Sequence, residues 1–206
     1  MNFTSLADET AVKRTIEAVS SRGIKVELTE NKQEALTKLQ TLIPVGATVM
    51  TGASVTLKEI GFEELLKNGN HQWRNFKGEI LAEKDPVKQS RMRKEGTLSD
   101  YFVGSVHAIA ETGEIVVASA TGSQFPSYSL SSSNVIWVAG IQKITPTLDS
   151  ALQRIREFSL PMEDKHVKEL GNSRGSFIGK ILIFEREASF LRRKVTLILV
   201  KELLGF

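Results

Sequence analysis

The strongest constraint in this sequence is a repeated order of elements: an amphipathic stretch, a short apolar run, a turn, then another amphipathic stretch. Residues 8–22 carry Ala11, Ile16, Ala18 and Val19 as a partial helical stripe that stops at Gly23. Residues 25–30 alternate with the period of a strand. Asn31 stands where it caps a helix whose Ala35, Leu36, Leu39 and Leu42 share one face, and Pro44 and Gly46 end that helix. Residues 47–50 form a second apolar strand, residues 51–54 a turn, and a helix starts near Thr56. Alternation of this kind predicts a parallel sheet with helices on its faces.

The rest of the chain extends the pattern. Residues 62–68 read as helix and residues 69–80 as a loop or inserted element. Residues 85–96 form a helix with Pro86 in its first turn. Residues 101–106 are a strand, and residues 109–111 and 115–118 form a hairpin around Thr112 and Gly113. Residues 121–134 are a serine-rich loop and residues 135–139 a buried strand. Residues 148–158 are an amphipathic helix capped by Thr147 or Thr145, and residues 180–184 a strand. The apolar run at residues 195–204 fits strand and helix equally, because it has no period. At 206 residues and 41% hydrophobic, the chain is expected to be one domain, with residues 1–24 as a helical extension.

Composition removes several classes of function. There is no cysteine, which excludes disulfides, thiolate nucleophiles and a cysteine-ligated iron–sulfur cluster within this chain. His71, His107 and His166 are not at metal-ligand spacing, so no metal is expected. A net charge of +3 without aromatic interleaving argues against a nucleic-acid partner. No apolar run approaches the roughly 20 residues of a membrane span. The first residues lack the apolar core of a signal peptide, so a cytoplasmic location is expected.

Three segments carry candidate chemistry. In the first, Gly52 follows a strand and lets backbone approach a ligand, while the hydroxyls of Thr51, Ser54 and Thr56 stand at a helix start suited to an anion. The competing reading is a plain turn, with Thr56 and Glu59 as a capping box. In the second, Asp100, Gly104, Ser105, His107 and Glu111 cluster around strand ends, where open parallel sheets bind ligands. Glu111 or Asp100 would serve as acid or base and His107 as proton shuttle. The alternatives are a half-buried histidine bonded to backbone and a solvated hairpin glutamate. In the third, Thr121, Gly122, Ser123 and Gln124 precede Phe125 and Tyr128 in a loop long enough to close over a substrate, or simply to lie wet on the surface. A basic helix with Lys84, Lys88 and Arg91, and a second cluster at Arg192, Arg193 and Lys194, would attract an anion or merely face solvent.

Four stretches taken together resemble the LUD (lactate utilisation) domain family. They are GASVTLKEIG at residues 52–61, DYFVGSVHAIAETG at residues 100–113 with the VVAS that follows, VIWVAGIQK at residues 135–143, and LILVKELLGF at residues 197–206. The AETG core and the Gly-Phe ending are the most specific pieces. The resemblance implies a NagB/RpiA/CoA transferase-like fold: a Rossmann-like, mostly parallel sheet with helices on both faces and a small antiparallel addition. It also implies a part in bacterial L-lactate oxidation to pyruvate, as an accessory or ligand-binding component. Iron–sulfur proteins would then be partners and carry the electrons. Related folds place sugar phosphates or CoA esters at the loops after the strands, and the hydroxyl-rich turn at residues 51–54 matches that phosphate cradle. Residues 104–106 stand where some isomerases have Gly-Ala-Asp, with Val106 in place of the acid. Residues 111–113 are similar to the Glu-x-Gly of CoA transferases, whose glutamate is a nucleophile. The expected ligand is therefore an anionic small molecule. Two alternatives remain: a free-standing enzyme acting on a phosphorylated or CoA-linked metabolite, and a protein-interaction subunit using Trp73, Phe76 and the C-terminal segment.

Overall fold

The structure, a computed structural model, describes residues 2–206. Its centre is a six-stranded sheet in which every neighbouring pair runs parallel. In chain order the strands are β1 (Lys25–Thr29), β2 (Thr48–Thr51), β3 (Arg74–Asn75), β4 (Tyr101–Gly104), β7 (Asn134–Gly140) and β10 (Lys194–Val200). Their spatial order is β1-β10-β7-β4-β2-β3. A second sheet of four strands has the order β8-β5-β6-β9, with β5 (Ala108–Ala110), β6 (Ile115–Ser119), β8 (Ile144–Thr145) and β9 (Lys180–Phe184). It is mixed: β6 pairs antiparallel with β5 and β9, while β5 and β8 run parallel. The fold is thus α/β, a Rossmann-like parallel sheet with helices on its faces and a small mixed sheet added.

The central strands are apolar on both faces because both faces are covered. Val135, Trp137 and Ala139 of β7, with Val195, Leu197 and Leu199 of β10, point into one core cluster. That cluster also takes Val12 and Val19 from α1 (Glu9–Ser21) and Ile109, Ile115, Val117 and Phe184 from the small sheet. The alternating residues Ile136, Val138, Ile198 and Val200 meet α2 (Lys32–Leu42), α3 (Val55–Glu59) and α4 (Phe62–Asn68) on the opposite face. The outer face of the small sheet packs Ala108 and Val116 against Ala151 and Ile155. The first helix is therefore part of the core, its side chains packed under the small sheet.

Several elements depart from the sequence expectation. Residues 69–80 hold β3 and most of α5 (Phe76–Ala82), with Asn75 accepting from the Gly78 amide at 2.9 Å as N-cap. The apolar run after residue 194 is a strand, the one that joins β1 to β7. The helix at α7 (Leu148–Arg154) continues through a wide π-turn at Ile155–Ser159 into α8 (Leu160–Glu169). Pro161 explains the turn: it lacks an N–H and its ring crowds the preceding carbonyls, so a regular α ladder cannot pass through it. Trp73 is packed against the α2–α4 cluster, with Nε1 donating to the Ile43 carbonyl at 3.1 Å, and Leu204 is buried. Trp73 is thus partly buried and β10 is almost wholly inside the fold, while Leu203 just after β10 is 56% exposed. Among the described residues no helix is long and apolar enough to cross a membrane.

Candidate functional site

The order of the strands creates a crevice between β2 and β4. After β2 the chain departs towards β3 at one edge, and after β4 it departs the other way, towards β7. The carboxyl ends of two adjacent strands whose connections diverge are where open parallel sheets hold ligands. A cavity of about 290 Å³ lies there. The turn after β2 (Gly52, Ser54) and the turn after β4 (Gly104, Ser105, His107) form two of its walls. Thr121, Ser123 and Gln124 close a third, and the π-turn brings Ile155 and Ser159 to a fourth. Glu163, Phe177 and Phe206 also line it.

The segments meet because local bonds hold each turn. Ser54 is the N-cap of α3, its Oγ accepting from the Leu57 amide at 3.3 Å. This displaces the expected capping box of Thr56 and Glu59. The Thr56 hydroxyl instead contacts Lys143 and Ser105, and the Glu59 carboxylate accepts the Gly205 amide at 2.6 Å. With only five residues, α3 is too short to act as a strong dipole towards an anion. Ser119 braces the third wall, donating to Gln124 Oε1 at 3.1 Å and accepting the Gly122 amide at 2.9 Å.

The charge at the site comes from two residues that sequence reasoning missed. Lys143 follows β7 and is 1% exposed. Its Nζ donates to Thr56 Oγ1 at 3.0 Å, Ser105 Oγ at 3.1 Å and the Val106 carbonyl at 3.1 Å. Burial first, and the positive charge of Arg154 second, bring its amine down to about 7, against an opposing pull from Glu59. Arg154 lies one layer behind the cavity wall. Its NH1 donates to the His107 carbonyl at 2.5 Å and to Ser159 Oγ at 2.9 Å, and its guanidinium sits 5.0 Å from the Phe158 ring centre. Burial holds it down to about 10. Neither cation forms an ion pair among the described residues, so the buried positive charge at and behind the cavity wall has no bonded carboxylate. A cue for Arg154 was present: it shares the buried helix face of Ala151 and Ile155, where a lone charge is out of place. Lys143 had only its position, a cation three residues past a fully apolar strand.

The expected residues separate into two groups. Gly52, Ser54, Thr56, Gly104, Ser105, His107, Thr121, Ser123 and Gln124 all line the cavity. Thr51 lies behind it, buried, with its hydroxyl on the Gly52 carbonyl at 3.1 Å, and Gly122 turns the supporting loop at φ 78°. Asp100 and Glu111 lie elsewhere. Asp100 precedes β4, so it occupies the other end of the sheet, where it accepts the Thr48 amide at 2.9 Å. Glu111 sits in the β5–β6 hairpin and pairs with Arg14 at 2.6 Å. His107 lines the cavity, but burial, Lys143 and Arg154 drive its pKa down to about 3. Its Nδ1 accepts the Ala118 amide at 3.2 Å, so the ring is a neutral, fixed acceptor and exchanges no proton near neutrality. The basic helix α6 (Pro86–Glu95) buries nothing and pairs Lys88 with Glu83 and Arg91 with Glu95, the arrangement of a solvent face.

Gly104 shows how tightly the site is fitted. A Cβ there would stand 1.8 Å from the hydroxyl of Tyr128, which donates to the Ser105 carbonyl at 3.1 Å. Gly104→Ala is expected to push the buried Tyr128 ring aside, at a cost of about 1–3 kcal/mol. Urea unfolding reads this directly; a midpoint equal to that of the parent chain would show that Tyr128 moves freely.

A family model for the LUD domain matches residues 12–173. A crystal structure of a DUF162 family protein from Deinococcus radiodurans is similar over 95% of this chain and 98% of that one, with a TM-score of 0.54 and 10% identity. At that identity the likeness shows the fold alone. No curated protein matches the chain. With the family match running from α1 to α8, over well more than half of its length, the chain belongs to the LUD domain family.

Proposed function

We propose that the crevice binds a small anionic metabolite, and that the chain acts as a ligand-binding component of L-lactate utilisation. One observation carries the binding reading: Lys143 lines the cavity and Arg154 lies one layer behind its wall, both buried and neither with a bonded carboxylate. Buried charge is costly when uncompensated, so a carboxylate or phosphate entering the crevice relieves that cost. A volume of about 290 Å³ sits at the small end of ligand pockets, which favours a compact hydroxy or oxo acid over a whole nucleotide. Membership of the LUD family supports the link to lactate. In that setting the protein works in the cytoplasm, and iron–sulfur partners carry the electrons, since this chain has no cysteine to hold a cluster.

A thermal-shift comparison of lactate, pyruvate, sugar phosphates and CoA esters tests this. A ligand at one hundred times its Kd adds about 2.7 kcal/mol to stability. For a chain of this size that raises Tm by roughly 5–10 °C. Lactate or pyruvate is expected to give the shift. A flat response to all four classes at saturating concentration removes the anion-binding reading, and a response to CoA esters alone moves it to the acyl-carrier class.

A further inference from the structure

Ser105 stands on the turn that leaves β4, half-buried, and lines the cavity. Its Oγ accepts from Lys143 Nζ at 3.1 Å and donates to Thr56 Oγ1 at 3.2 Å and to the Val106 carbonyl at 3.4 Å. Lys143 Nζ in turn reaches Thr56 Oγ1 at 3.0 Å, which closes a triangle of two hydroxyls and an amine. The Val106 carbonyl anchors the amine from a third direction at 3.1 Å. All three close contacts of the amine are protein oxygens, one of them the Ser105 hydroxyl, and both residues line the cavity. A serine is a weak nucleophile until a base takes its proton, and a desolvated lysine amine is such a base. Serine–lysine pairs operate in this way on unrelated folds.

We propose that Ser105 is the nucleophile of an acyl-transfer site, with Lys143 as its general base and Thr56 holding the amine and the hydroxyl in line. Ser105 Oγ attacks the acyl carbon of a small ester or thioester while Lys143 Nζ takes the serine proton. The bond from the acyl carbon to the alcohol oxygen or thiol sulfur breaks, and the departing group leaves with that proton. Water then attacks the acyl-serine with Lys143 again as base, releasing the carboxylic acid and restoring Ser105. The sum is ester plus water to acid plus alcohol, with no redox partner. The cavity suits a short acyl group, since Phe177 and Phe206 line it together with the hydroxyls. This inference goes beyond the anion-binding reading and does not require a charged ligand.

The ionisable groups around the pair support the base role. Burial first and Arg154 of α7 second lower the lysine pKa to about 7, Glu59 of α3 opposes them, His107 is neutral, and Glu163 of α8 lines the same cavity. A large part of the amine is therefore free of its proton just above neutral pH.

The test uses the intact chain and diisopropyl fluorophosphate, an uncharged reagent that transfers its phosphoryl group to an activated serine and expels fluoride. Peptide mass spectrometry locates the adduct. The expected result is one adduct, on Ser105, forming at a rate that rises with pH around a midpoint near 7. Ser105→Ala is expected to remove the adduct, and Lys143→Met to slow it by roughly 100-fold or more, the usual contribution of a general base. If Lys143→Met does not fold, the adduct position and the pH midpoint of the parent chain decide the matter. No adduct at Ser105 after prolonged exposure at pH 9, or adducts scattered over exposed serines, would falsify the proposal and leave Lys143 as an internal strut. A thermal shift with lactate in a chain that never labels would uphold binding and overturn acyl transfer.

Discussion

Lys143→Met is expected to abolish a rise in stability that the parent chain shows on going from pH 7 to pH 10. The sign follows from the proton count. Below about pH 7 the amine is protonated in the folded and the unfolded chain alike, so it adds no slope. Between about 7 and the ordinary lysine value of 10.5 the unfolded chain holds a proton that the folded chain has released. Stability rises with pH wherever the unfolded state binds more protons. Over that interval the contribution amounts to a few kcal/mol at 1.36 kcal/mol per pH unit. Methionine keeps the length of the side chain and removes the charge. Urea unfolding of both proteins at several pH values isolates the effect, because other titrating groups cancel in the difference. A difference that stays constant across the range would show that Lys143 keeps an ordinary amine, and the base assigned to Ser105 would go with it.

Trp137→Ala is expected to produce the largest loss of stability. Trp137 is fully buried in the middle of β7 and stands edge-on to Tyr128, 5.3 Å away, and to Phe184, 5.2 Å away. Those three rings couple the parallel sheet to the loop behind the cavity and to β9 of the small sheet. Truncating such a side chain removes its own burial and opens a hole that its neighbours fill only in part, at about 3–5 kcal/mol. For a chain of this length that lowers Tm by roughly 6–20 °C. Trp137→Phe, which keeps a ring between the two partners, is expected to lose much less. A thermal melt of the alanine variant within 2 °C of the parent, about 1 kcal/mol by the same conversion, would mean that the two sheets do not depend on this contact.

The main sheet was legible because its strands alternate with capped helices. Asn31, for example, accepts from both Gln33 and Glu34 where a cap was expected, and the Thr112–Gly113 hairpin formed as read. The strand after residue 194 was not legible, since a strand buried on both faces shows no alternation. Nor was the pairing of β9 with β6, which joins segments about 60 residues apart through side chains that say nothing of their partner. At the site, hydroxyls and glycines just after β2 and β4 came together because parallel strands deliver their carboxyl ends to one side. The same rule speaks against Asp100, which precedes its strand. Glu111 reads in sequence as a carboxylate near a strand end; the structure places it outside the cavity, paired with Arg14, 97 residues away in sequence. Lys143 and Arg154 enter from segments that no local motif connects to the others.

The position of β10 has a consequence for how such a chain is made. This strand lies between β1 and β7, and Lys25 finds its partner only at Thr196. Until residue 194 has been synthesised, β1 has no neighbour and β7 presents an apolar open edge, the surface on which chains join wrongly. A growing polypeptide of this design therefore cannot lock its sheet in instalments. Strand β1 and the block β7-β4-β2-β3 are not bonded edge to edge until β10 pairs between them, and contacts that distant in sequence form slowly. Closure of the sheet hinges on β10.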